Sequence, residues 1–207
     1  MSERGLRELA TFFINLPPHE MQRRLSDALG VYVDAMGYPR GTENLRAAMW
    51  LDHTRRRGWQ AVAAVEADTR PGVTPSTDEL SRALMIGVAY GYCGAPDQWW
   101  QQQVVVGLER GGVTGPKIAT LMASYFELTE LHIHPRVQGR GLGEELVRRL
   151  LADRREATVL LSTPECIGEP NRAWRLYRRM GFIDILRGYH FTGDPRPFAV
   201  LGRKLPL

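Results

Sequence analysis

Residues 138–143 read Gln138-Gly139-Arg140-Gly141-Leu142-Gly143, and three glycines at alternate positions leave this backbone open to close approach. Before the loop, Ser124 to His134 (SYFELTELHIH) reads as a strand that stops at Pro135. After it, Glu144 to Arg155 places Leu146, Val147, Leu150 and Leu151 on one helical face. A helix that starts at a glycine loop aims N–H groups and a partial positive charge into that loop. The arrangement makes a site for a phosphate or pyrophosphate. It also lies where a strand hands over to a helix, the place where open α/β sheets bind ligands.

Outward from the loop, Thr158 to Thr163 is a short apolar run, as expected of a strand buried on both faces. Asn171 to Met180 reads as a helix stopped by Gly181, and Phe182 to Phe191 and Phe198 to Lys204 as two closing strands. Towards the N-terminus, residues 20–37 have helical spacing at Met21, Leu25, Leu29 and Val33. Residues 43–57 predict a second helix with Thr42 as N-cap and Gly58 as stop. Gln60 to Glu66 and Arg82 to Cys93 predict strands, and the Pro, Gly, Thr and Ser between Asp68 and Asp78 a loop. Pro96 to Gly111 reads as a helix in spite of Val104-Val105-Val106. The order is helices first, then strands alternating with helices, which predicts an α/β fold with a mixed sheet.

The 207 residues are enough for one domain, residues 1–207, with 95–117 as an insertion between strands. A hydrophobic share of 43% and a charged share of 24% are ordinary for a globular protein. Net charge is +4, from 27 basic and 23 acidic side chains, and the pI is about 9.3. Arg55-Arg56-Arg57 is the one basic triple and the other arginines are scattered, so the charge pattern is not that of a nucleic-acid binder. Cys93 and Cys166 cannot build a cysteine zinc site or a disulfide framework, and free thiols in a reducing compartment are the expectation. Arg4 and Arg7 before Leu9 to Leu16 faintly suggest a signal peptide, but Asn15 breaks the run and Pro17-Pro18 follows with no cleavage site. No run approaches the length of a membrane span, so a cytoplasmic protein with no membrane partner is expected.

Three phosphate-loop patterns compete for residues 138–143. A P-loop needs Gly-Lys-Ser/Thr, which occurs nowhere in the chain. A dinucleotide fingerprint needs G-x-G-x-x-G, whereas the spacing is G-x-G-x-G and no βαβ unit precedes it. The third fits: Gln138-x-x-Gly141-x-Gly143, after Ile133-His134-Pro135, resembles the acetyl-CoA loop of the GCN5-related N-acetyltransferase (GNAT) superfamily. Residues 171–182, Asn-Arg-Ala-Trp-Arg-Leu-Tyr-Arg-Arg-Met-Gly-Phe, also resemble that superfamily's N-x-A-x-x-L-Y-x-x-x-G-F segment at each keyed position. By themselves they read as an amphipathic helix capped by Asn and stopped by Gly. The resemblance is close over residues 124–191 and rests only on element order in the first 110.

The resemblance implies a mostly antiparallel central sheet with a splayed strand pair, helices on both faces, and acetyl-CoA as cosubstrate in the opening. It implies that pantetheine pairs like a strand with the backbone of Leu131, His132 and Ile133. The pyrophosphate would lie on the amides of Gln138, Gly139, Arg140, Gly141, Leu142 and Gly143, with Arg140 adding a charge-assisted contact. Asn171 would bond the pantetheine arm as well as cap its helix. Tyr177 would give a proton to the leaving thiolate. The base implied is Glu127, eleven residues before Gln138, with Glu130 second and direct proton loss to solvent third. A regular strand puts the two glutamates on opposite faces. His132 and His134 form a His-x-His without a third ligand, so no metal is expected. Cys166 lies near the implied thioester, but no Cys-His arrangement supports a covalent intermediate.

The same resemblance puts the acceptor groove at about Pro17 to Thr54 and Tyr189 to Phe198. Trp99-Trp100 is open to three roles: groove wall, homodimer contact or core packing, the last two favoured. Glu20, Asp27, Asp34, Glu43 and Asp52 form no signature for a cationic acceptor. Transfer to a protein lysine or N-terminal amine is the first expectation, and a small amine of aminoglycoside or polyamine type the second. A non-catalytic acyl-CoA-binding module is the opposing class.

Overall fold

A computed structural model of the protein describes residues 8–70, 72–165 and 171–207. The elements are β1 (Glu8–Asn15), α1 (Pro18–Arg23), α2 (Leu25–Met36), α3 (Thr42–His53), β2 (Gln60–Thr69), α4 (Thr77–Arg82), β3 (Leu84–Cys93), α5 (Trp99–Arg110) and α6 (Gly115–Met122). Then follow β4 (Tyr125–Ile133), a 3-10 turn at Pro135–Val137, α7 (Leu142–Leu151), β5 (Thr158–Pro164), α8 (Arg172–Arg179), β6 (Ile183–Tyr189) and β7 (Phe198–Lys204). The seven strands lie in the order β1-β2-β3-β4-β5-β7-β6. β1 pairs antiparallel with β2, and β7 antiparallel with both β5 and β6. The β4–β5 pair is parallel, and its ladder runs from Tyr125↔Thr158 to Glu127↔Leu160. β4 continues past that point to Ile133 and β5 to Pro164.

The chain groups into two compact units. One holds Met1–Arg55, Trp59–Tyr90 and Glu130–Leu150; the other holds Arg56–Gly58, Gly91–Thr129 and Leu151–Leu207. In the first, Tyr32, Trp50 and Tyr90 form an aromatic chain, with ring centroids 5.8 Å and 4.9 Å apart. In the second, Trp100, Val104 and Leu108 of α5 pack with Ile118 of α6, Tyr125, Leu160 and Val200.

Several local expectations are corrected. Among the described residues the first element is a strand, not a helix: Glu8–Asn15 forms β1, whose partner β2 lies some fifty residues on. The helical run 20–37 is two helices joined at Arg24, a buried residue whose guanidinium bonds Asp27 at 2.9 Å and the Ala83 carbonyl at 2.6 Å. α3 is capped from Gly41, at φ 99°, and not from Thr42, whose hydroxyl turns back to the Pro39 carbonyl at 2.7 Å. The loop expected at 68–78 contains the end of β2 and the start of α4. A capping box starts α4: Ser76 N–H donates to Glu79 Oε2 at 2.7 Å, and Glu79 N–H to Ser76 Oγ at 3.3 Å. The segment expected as an insertion holds α5, as read, and the first residues of α6, which were not.

Candidate active site

The glycine loop is built by backbone conformation. Gly139 and Gly141 sit at φ 83° and 82°, the left-handed region that side chains avoid, while an added Cβ at either would meet nothing within 4 Å. Glycine is required here by the turn and not by crowding. The 3-10 turn before the loop is anchored: Arg136 Nη2 reaches the buried carboxylate of Glu66 at 2.5 Å, and its N–H donates to His134 Nδ1 at 3.3 Å. The Gln138 side-chain amide donates to the Ile133 carbonyl at 3.0 Å, tying the loop to the end of β4. α7 starts at Leu142, two residues earlier than its apolar pattern indicates. Glu144 and Glu145, in its first turn, would oppose an incoming anion. Each is drawn one turn along the helix instead, to Arg148 at 2.8 Å and Arg149 at 2.6 Å. Arg140 is exposed at the loop.

β4 carries the candidate bases on opposite faces, and each has its own partners. Glu127 is 3% exposed and sits at the last rung of the β4–β5 ladder. Its Oε1 accepts from the Tyr92 hydroxyl of β3 and from Thr129 Oγ1, both at 3.3 Å. Burial, and then the Glu127 charge, push the Tyr92 hydroxyl pKa well up, so Tyr92 stays a donor. Glu130 lies 2.6 Å from His132 Nε2, two residues along the same face. The His132 ring meets Tyr32 edge-on at 5.0 Å and lies nearly parallel to Trp50 at 6.4 Å. Leu131 and Ile133, on the Glu127 face, are half-buried. His134 lies past the end of β4, 3.5 Å from Asp34 Oδ2, so the two histidines of the His-x-His have separate partners. Among the described residues no group of three or more His, Cys, Asp or Glu side chains could hold a metal ion.

On α8, Asn171 is the N-cap: its Oδ1 accepts from Trp174 N–H at 3.0 Å, and its carbonyl from Arg175 N–H. Tyr177 is 7% exposed, with its ring 5.5 Å from Phe182, the residue that ends the Asn171 to Phe182 segment. Cys166 lies outside the described residues. Cys93 donates to Glu156 Oε1 at 3.0 Å, and burial together with that carboxylate pushes its thiol pKa up, away from the thiolate a nucleophile needs.

The acetyltransferase (GNAT) domain family matches residues 99–184, a span that takes in β4, the glycine loop and α8. A GCN5-like protein acetyltransferase of Mycobacterium tuberculosis is 70% identical over 208 residues, covering 96% of this chain and 100% of that protein. The chain belongs to the GNAT acetyltransferase family. Its fold agrees with solved GNAT structures at much lower identity. NAA60 of Arabidopsis thaliana in complex with acetyl-CoA superposes with a TM-score of 0.57 at 14% identity, covering 95% of this chain and 99% of that one. The Escherichia coli N-acetyltransferase of a ribosomal-protein alanine gives 0.56 at 15%, with 96% of each chain covered.

Within this GNAT chain the two tryptophans divide. Trp100 is buried, its indole N–H 3.1 Å from Ser162 Oγ, whereas Trp99 is half exposed beside Phe191 at 5.8 Å. Tyr92 and Thr129, which bind the Glu127 carboxylate, were not singled out from the sequence. Their signal is weak: Tyr92 is one of two tyrosines in Ala89-Tyr90-Gly91-Tyr92, and only the strand pairing tells which one meets β4. Among the described residues no helix is long and apolar enough to cross a membrane.

Proposed function

We propose that the protein transfers the acetyl group of acetyl-CoA directly to a protein amine, a lysine side chain or an N-terminus, as a single catalytic domain in the cytoplasm. The observation that carries this reading is the β4–β5 ladder, which ends at Glu127↔Leu160 with a buried carboxylate on its last rung while both strands run on. Beyond that rung, pantetheine pairs along Leu131, His132 and Ile133, and the pyrophosphate is received by residues 138–143. Glu127 takes a proton from the acceptor ammonium, and the amine nitrogen attacks the thioester carbon. The tetrahedral intermediate collapses, the C–S bond breaks, and Tyr177 protonates the departing thiolate, while the nitrogen gives up its second proton, which restores the Tyr177 hydroxyl. Asn171 holds the pantetheine arm. The choice of a protein acceptor is supported by the Mycobacterium tuberculosis relative, named a protein acetyltransferase at 70% identity.

Release of CoA thiol, followed with acetyl-CoA and lysine-bearing peptides, free N-terminal peptides, spermidine or kanamycin, tests the acceptor class, with mass spectrometry to locate the added acetyl. Peptide amines should accelerate release above hydrolysis. Faster turnover of spermidine or kanamycin than of any peptide would favour the small-amine reading. If no amine accelerated release, the chain would be an acyl-CoA-binding module.

A further inference from the structure

A buried carboxylate that must accept a proton needs to be both ionised and aimed, and burial alone opposes the first. Around Glu127 the structure supplies a counterweight made of hydroxyls. Tyr92 reaches across from β3, and Thr129 from two residues along β4, to the same atom, Glu127 Oε1, each at 3.3 Å. Thr129 Oγ1 also lies 3.4 Å from the Glu127 carbonyl oxygen, so its one proton is shared and Tyr92 is the firmer donor. Tyr92 is 1% exposed, so its hydroxyl is not diverted to bulk water. We propose that Tyr92 and Thr129 are positioning residues for acetyl transfer, fixing the Glu127 side chain in one orientation and favouring its ionised form. The inference rests on Glu127 acting as the base.

Proton removal breaks an N–H bond of the acceptor ammonium and forms an O–H bond on Glu127. Two hydroxyl donors to the carboxylate favour the state before this step. Other groups act on the same network. The Tyr125 hydroxyl, on the Glu127 face of β4, feels the Glu127 charge and donates to Gln101 Oε1 at 2.9 Å. The Arg56 guanidinium lies 4.6 Å over the Tyr92 ring and partly offsets the negative charge. All of these stay in place when Tyr92 is changed to Phe, which removes only the hydroxyl.

The test uses the full chain carrying ¹³C-labelled glutamate carboxyls, with Glu127 assigned by its loss in Glu127→Gln. It is paired with the pH dependence of kcat/KM for acetyl-CoA and poly-L-lysine. Removing one hydrogen bond to a carboxylate should raise the Glu127 titration, and the acid limb of kcat/KM with it, by about one pH unit in Tyr92→Phe. Thr129→Val should move both in the same direction by less, and carries the test alone if Tyr92→Phe does not fold. Glu127-dependent turnover with an unmoved Glu127 titration in the folded variants would overturn the positioning role alone. Full turnover in Glu127→Gln would overturn the base assignment, and the positioning role with it.

Discussion

Alanine at Gly91 should damage stability and catalysis together, because a Cβ there would run into the β4 backbone at Glu127. A Cβ at Gly91 would lie 2.1 Å from the Glu127 carbonyl oxygen and 2.5 Å from the Phe126 ring. A carbon–oxygen contact is comfortable at about 3.3 Å, so the two backbones must part by about 1 Å. The obstacle is a strand backbone, which cannot rotate aside as a side chain can. Overpacking of this kind costs about 1–3 kcal/mol, offset by about 0.4–1 kcal/mol from the stiffer unfolded chain. The net loss of about 1 kcal/mol should lower the melting temperature by about 2–4 °C in a chain of this size. A shift of about 1 Å in a catalytic group can cost about 100-fold in rate. Gly87→Ala, in the same strand, is the control. Its Cβ meets the free end of Ile133 at 2.9 Å and of Leu146 at 3.2 Å, both able to swing away, so it should stay near wild type. Thermal melting and kcat/KM of both variants check the argument. If Gly91→Ala matched Gly87→Ala in both, the close approach of β3 to Glu127 would be refuted.

Three further outcomes are expected. Gly141→Ala forces a side chain into φ 82° with open space around it, so about 1–2 kcal/mol of pure backbone strain should weaken acetyl-CoA binding by about 5–30-fold in calorimetry, with little effect on core packing. Tyr177→Phe should lower kcat with little change in KM for acetyl-CoA if its hydroxyl is the acid; unchanged turnover would refute that role. Burial pushes the Glu156 carboxyl pKa up, but hydrogen bonds from Arg154 and the Cys93 thiol outweigh it and hold the pKa at about 2, below its ordinary 4.5. The stabilisation is therefore full above the unfolded pKa and is lost as pH falls through the folded one. Glu156→Gln should cost about 2–3 kcal/mol in urea melts at pH 7 and about half of that near pH 3. An equal cost at both would exclude the ionised pair as its source.

Much of the fold around the glycine loop and α8 was legible because its signals are local. Gly139 and Gly141 are needed for the left-handed turns they make, Asn171 caps the helix it precedes, and the apolar face of α7 repeats within three turns. The Ser76 to Glu79 capping box is equally local, but it is set in a run of Pro, Gly, Thr and Ser whose composition reads as loop. β1 could not be read in this way. It is a half-buried edge strand whose hydrogen bonds all depend on a partner far along the chain.

The amino-acid order alone determined the family, the glycine loop and the two glutamates on alternate faces of β4, because periodicity and backbone preference act over a few residues. Only the tertiary structure decided that Glu127 is the glutamate enclosed by hydroxyls while Glu130 pairs with His132. The physical reason is that the choice rests on strand register. Tyr92 is thirty-five residues from Glu127 in sequence and reaches it only because β3 lies against β4, with Gly91 giving the room.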